Sequence, residues 1–150
     1  YLVEKHKIFN YTSLAKSLFS GLDESETSEF LDRQVAQAIE DYVSNIVKRL
    51  DFAKMDCFDA ELIDEELRNT CNLILHGTKL VKLKINLRQK NPNEISKEVL
   101  TEMIDDISRI IEKHNELWLR RNRQGGLEES NMILKRLKNQ YNSILSKLKK

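Results

Sequence analysis

An all-α fold, an antiparallel bundle of four or five amphipathic helices, is predicted by three features of this sequence. Turn formers are scarce: four Gly and one Pro in 150 residues are too few for the turns of a sandwich, barrel or meander. Apolar residues recur every three or four positions over long stretches, the period of one helical face. The breaks between those stretches are short, which implies antiparallel neighbours. A chain of this length buries a core without disulfides or a structural metal.

The first segment is brief. Leu14, Leu18 and Leu22 share a helical face behind a Thr12 cap, and Gly21 is positioned to stop it. Residues 1–22 therefore read as a linker or short helix leading in from a preceding domain, and residues 23–150 as the bundle. Asp23-Glu24-Ser25-Glu26 has the Asp-x-x-Glu spacing of a capping box. Behind it Leu31, Val35, Ile39, Tyr42, Ile46 and Leu50 mark a long amphipathic helix over 25–50.

A loop around Lys54 to Phe58 leads to Asp59, a candidate cap for a helix with Ile63, Leu67, Cys71, Ile74, Val81 and Ile85 on one face. Gly77 is expected to interrupt that helix. Val81-Lys82-Leu83-Lys84-Ile85-Asn86-Leu87 also alternates with period two, as a strand does, but the sequence offers no second alternating run to pair with it, so helix is expected.

Asn91-Pro92-Asn93-Glu94 carries the clearest start signal: Asn as cap, Pro in the first helical position, Glu three residues after the cap. Leu100, Ile104, Ile107, Ile111, His114 and Trp118 then step 4-3-4-3-4 along one seam. Gly125-Gly126 breaks the chain. The last helix opens on Glu128 and Glu129, which suit the helix dipole, and carries Leu134, Leu137, Tyr141, Ile144 and Leu148.

The 25 basic and 24 acidic residues nearly cancel, so no long-range field gathers nucleic acid or an anionic membrane surface. Neither is expected as a partner. The final helix, with Lys135, Arg136, Lys138, Lys147, Lys149 and Lys150, is basic, whereas the stretch from Asp23 to Glu66 is predominantly acidic; these segments can attract each other, but solvated faces, with C-terminal lysines that suit the dipole, are the expected reading. No aromatics interleave with those lysines, which argues against a single-strand nucleic-acid groove. No apolar run reaches the roughly 18 to 20 residues of a membrane span. Because the chain begins at Tyr1, it is expected to be a fragment or processed product, which leaves the parent's compartment open. Cys57 and Cys71, with no CxxC or His-rich companion, read as two small buried side chains rather than a disulfide or metal site. No cofactor is implied.

Catalytic constellations are hard to assemble. Asp23-Glu24 and Asp64-Glu65 are carboxylate pairs, but they lie near helix starts where acids are favoured anyway. His76 and His114 have no Ser or Cys nucleophile tied to them by spacing and read as satisfied core residues. Gly-rich phosphate loops, HExxH and GxSxG are absent. The chain by itself is therefore expected to be inactive.

One segment is denser than a helical turn requires: Leu117-Trp118-Leu119-Arg120-Arg121-Asn122-Arg123-Gln124-Gly125-Gly126-Leu127-Glu128-Glu129-Ser130. It resembles a corner near the C-terminus of many bacterial glycoside hydrolase family 20 enzymes, the β-N-acetylhexosaminidases, where Leu-Trp runs into Arg-Asn-Arg, a Gly-Gly turn and Leu-Glu-x-Ser. Gln124 stands where that pattern has Pro. Glu65-Glu66-Leu67-Arg68-Asn69, Leu75-His76-Gly77 and Leu18-Phe19-Ser20-Gly21-Leu22-Asp23 are similar to the same region, so the likeness runs over about 18–138.

The resemblance implies a helical module that follows a catalytic (β/α)₈ barrel. There the substrate's acetamido group is the nucleophile and an Asp-Glu pair in the barrel assists it. No catalytic role transfers to this chain. The expected partner is the catalytic barrel domain of the parent chain, with glycan contacted only indirectly and the isolated domain monomeric. Trp118, Arg120, Arg121, Asn122, Arg123, Gly125 and Gly126 become candidates for the interface or the sugar edge. Trp118 is expected to be chiefly core, whereas Arg121 and Asn122, past the last seam residue, are expected to project towards a partner. A stand-alone protein–protein interaction module using the same seams is the alternative. A carbohydrate-binding module finds thin support in one Trp and four Tyr.

Overall fold

In a computed structural model the described residues, 18, 21–22, 32–88 and 96–148, form four long helices and no strand. They are α1 (Arg33–Leu50), α2 (Ala60–Arg88), α3 (Lys97–Arg121) and α4 (Leu127–Leu148). The Asp23–Glu26 box and the Asn91–Glu94 start lie outside the described residues. The caps that are seen come later in each case. Asp32 is extended (φ −96°, ψ −179°) and its carboxylate accepts from the Val35 amide at 2.8 Å. Ser96 (φ −84°, ψ 160°) does the same for Val99 at 3.2 Å. Both bind an amide that the first helical turn leaves without a partner.

Cross-helix pairs give the topology. Arg68 reaches back to Asp51 at 2.9 Å while Arg33 binds Asn86 at the other end, so α1 and α2 run antiparallel. Lys79 binds Glu102 at 2.8 Å and Arg121 binds Glu66 across α2 and α3. Asn131 donates to Asn115 at 2.6 Å across α3 and α4. The main core lies among the C-terminal half of α2, α3 and α4: Leu80, Leu83, Leu100, Met103, Ile107, Ile111, Leu137 and Tyr141. Leu18 and Leu22 pack against it from the N-terminal side. Gly21 between them is left-handed (φ +60°), which agrees with a helix stop there. A second, smaller core joins Ala36 and Ile39 of α1 to Val81 and Ile85 of α2.

The expected break at Gly77 does not occur. Gly77 is buried inside an uninterrupted α2. A single Gly costs a helix only about 1 kcal/mol relative to Ala, and packing on both sides outweighs that. The period-two pattern from Val81 to Leu87 has the same origin. Val81 and Ile85 face α1, while Leu80, Leu83 and Leu87 face α3 and α4. A helix covered on two sides needs apolar residues around much of its circumference, which blurs the 3.6-residue period. Among the described ion pairs, Asp59, Glu65 and Glu66 of the acidic stretch bind the end of α3, and Lys135 of α4 binds Glu128 in its own helix. Cys71 is buried, but Cys57 is exposed, because it lies in the α1–α2 loop rather than on a helical seam.

Candidate functional site

The corner from Trp118 to Ser130 is closed on itself. Asn122 ends α3 with an extended backbone (φ −127°, ψ 165°), and its amide donates to the Trp118 carbonyl at 2.7 Å. The Trp118 indole Nε1 donates to the Arg123 carbonyl at 2.9 Å. Its ring therefore folds over the turn instead of entering the core, a place that Leu117 takes. Trp118 is thus half-buried, not chiefly core. The six-membered edge of the ring lies against Gly126, where a Cβ would stand 3.3 Å from Cζ2 and the backbone is left-handed (φ +85°). Gly125 faces open space. His114 stacks edge-on with Trp118, ring centroids 5.8 Å apart, and its Nε2 pairs with Ser130 Oγ at 2.8 Å. His114 is therefore satisfied, as a partly buried residue.

Arg120 and Arg121 are engaged within the bundle rather than turned outward. Arg121 binds both Glu66 oxygens with its fork, Nη2 at 2.9 Å, and Asp59 Oδ2 with Nη1 at 3.0 Å. The hydrogen bonds to Glu66 and then Asp59 raise its pKa further above the ordinary guanidinium value. Arg120 pairs with Glu65, which Lys113 also reaches at 3.5 Å. Asp64 binds Arg68 at 2.7 Å. Neither described acid of the Asp64-Glu65 pair is left as an isolated carboxylate, so the bundle uses both as struts. Asn122 and Arg123 remain exposed. The other pair, Asp23-Glu24, lies outside the described residues.

The Asp59–Arg121 contact sets the corner beside the α1–α2 loop, and that loop carries what the sequence reading passed over. Phe52 is 85% exposed and Phe58 103%. The loop is anchored at both ends, by Asp51 to Arg68 at 2.9 Å and by Asp59 to Arg121. Its start is a turn in which the Phe52 and Ala53 amides donate to the Arg49 and Leu50 carbonyls. Two large apolar side chains are thereby presented to solvent on a fixed base. The signal in the sequence was available: Phe52 lies past the end of the 25–50 helix and Phe58 at the end of the loop expected around Lys54 to Phe58, so no helical face could bury either.

A second concave feature lies on the side of the bundle. α1 and α3 flank α2 without closing over it, leaving an open cleft of about 710 Å³. Its floor is Arg68, Asn69, Asn72, Leu75 and Lys79, and its walls include Glu40, Asp106 and Arg109. No aromatic ring lines it, so it has no platform on which a sugar could stack. Among the described residues no group of three or more His, Cys, Asp or Glu is arranged to hold a metal ion, and no helix is long and apolar enough to cross a membrane. The chain matches no protein-family model, no curated protein and no solved structure.

Proposed function

We propose that this chain is a non-catalytic accessory domain that packs, through one end of its bundle, on a larger catalytic domain. The module after the barrel in glycoside hydrolase family 20 is the arrangement that its corner resembles. The observation that carries the reading is the pair Phe52 and Phe58, bare in a pinned loop beside that corner. Each Phe has roughly 150 to 250 Å² to bury, and both rings are almost wholly exposed. Burying such a ring contributes about 1.5 to 3 kcal/mol, and a base already held by ion pairs loses little entropy on docking. The role assigned to Arg121 changes accordingly. It holds the loop in position and does not itself reach across the interface.

Thermal unfolding of the Phe52→Ser/Phe58→Ser double variant tests this, in the chain alone and joined to a catalytic barrel of the kind this reading assigns as its partner. Alone, the melting temperature should hold or rise, since two exposed rings are replaced by polar groups. Joined, the helical part should uncouple and melt at its isolated temperature. Equal small effects in both settings would overturn the reading.

The cleft over α2 favours a second reading, a stand-alone module that accepts a partner's helix between α1 and α3. Asn72→Trp, which would fill the floor, should then abolish partner binding and leave the Phe variants competent.

A further inference from the structure

His76 occupies the junction of α2, α3 and α4 with 1% of its surface exposed. Its Nε2 pairs with the Tyr141 hydroxyl of α4 at 3.0 Å. Its Nδ1 has no hydrogen-bond partner and stands 4.0 Å from Asp106 Oδ2 of α3. The tautomer that uses both sides carries hydrogen on Nδ1, directed at Asp106, and accepts the Tyr141 hydroxyl hydrogen at Nε2. Asp106 is already shared, by Lys79 of α2 at 2.6 Å and by Arg109 of its own helix at 2.5 Å.

We propose that His76 is an acid-operated latch, and that uptake of a proton there releases the C-terminal half of α4 from α2 and α3.

A proton from solvent, added at Nε2, makes the ring a double donor. The Tyr141 hydroxyl must then accept instead of donate, which leaves its own hydrogen without a described acceptor in a dry core. The new positive charge faces Lys79 from its own helix, Asp106 from α3 (itself bound by Arg109), and the neutral Tyr141 phenol from α4. Asp106 and Glu102, both already bound to Lys79, are two carboxylates against three cations, Lys79, Arg109 and the imidazolium, so the added charge is left over. Burial already holds the His76 imidazole down to about 4, only partly countered by Asp106 and reinforced by Lys79. Burial likewise pushes the Tyr141 phenol above its ordinary value, so it supplies no counter-charge.

α4 is the element that gives way. α2 and α3 remain joined by Lys79 to Glu102 and Asp106, Arg120 to Glu65, and Arg121 to Glu66. The described polar ties of α4 to α3, Ser130 to His114 and Asn131 to Asn115, lie near the corner. Beyond them, Leu137 and Tyr141 hold to α2 and α3 by packing and by the His76 bond, and Gln140 ties α4 to the Leu22 amide at 3.0 Å rather than to either helix, so lifting this half admits water to the ring.

Hydrogen exchange of the α4 amides from pH 7 to 4.5, corrected for the intrinsic pH dependence of exchange, tests the latch. The opening equilibrium of residues 137–148 should rise by up to about tenfold per pH unit below about 6.5, while the α1–α2 pair keeps its protection. His76→Gln should flatten that slope, and His114→Gln should keep it. Unchanged α4 protection across the range, or an equal slope in His76→Gln, would overturn the proposal. Should His76→Gln fail to fold, imidazole NMR of the unaltered chain beside its α4 exchange decides: loss of α4 protection in step with His76 protonation upholds the latch, and a folded-state His76 that titrates at the ordinary value with α4 still protected sinks it.

Discussion

Gly125 and Gly126 stand side by side in the sequence and carry different constraints. Gly126 combines a left-handed backbone (φ +85°) with the Trp118 ring 3.3 Å from where a Cβ would sit, and Gly125 has neither. Gly126→Ala should therefore destabilise the chain by about 1 to 2 kcal/mol, and Gly125→Ala should be near neutral. Urea denaturation of the two variants reads the difference, and equal effects would show that the turn tolerates either residue. Trp118 gives the second prediction at this scale. Because its ring lies over the turn, Trp118→Ala should cost about 2 kcal/mol, below the roughly 3 to 5 of a fully buried Trp. Leu117→Ala, at the position that does enter the core, should cost about 2 to 5 kcal/mol.

Caps and ion pairs act on whole helices. Asp32 and Ser96 each accept a first-turn amide, and replacing either with Ala should cost about 1 kcal/mol. A loss that appears as fraying of α1 in the first case and of α3 in the second, by amide exchange, would confirm that each cap serves its own helix. The network at the end of α3 ties it to the start of α2. Isolated surface pairs contribute little, but Arg121 binds two oxygens of Glu66 and one of Asp59, in a cluster that continues through Arg120 and Glu65. Arg121→Ala should accordingly lower the melting temperature of the isolated chain, and Arg123→Ala, exposed two residues on, should not. Identical melts for the two would mean that the network is only a surface decoration.

For the molecule as a whole, the buried imidazole links stability to pH. The His76 pKa falls from the ordinary 6.5 to about 4 on folding, so the folded chain binds fewer protons than the unfolded chain between those values. Stability is then fully present above about 6.5 and falls as the pH drops towards 4, by about 3 kcal/mol over the interval at roughly 1.4 kcal/mol per unit. A stability profile by chemical denaturation at several pH values measures this. A level profile from pH 6.5 to 4.5 would contradict a neutral, buried His76. At this scale the exposed Phe52 and Phe58 also matter, since a surface with both rings bare favours association wherever no partner covers them.

What the sequence determined by itself was the helical class, the Gly-Gly break between α3 and α4, the acidic opening of α4, and the α3 seam from Leu100 to Ile111. All of these follow from local rules: turn residues, dipole, and a 3.6-residue period on a helix buried mainly along one stripe. Tertiary structure decided what local rules cannot reach. The continuity of α2 through Gly77 depends on neighbours packed on both of its sides, so an isolated propensity pointed the wrong way. Arg121 was legible as a helix-end cation but not as the mate of Asp59 and Glu66, because those acids lie 62 and 55 positions away in the chain. Whether Trp118 or Leu117 enters the core turns on about 100° of helix rotation, less than the apolar pattern resolves at a helix end. The partnership of His76 with Tyr141 and Asp106 exists only once three helices converge, and no spacing within the chain records that convergence.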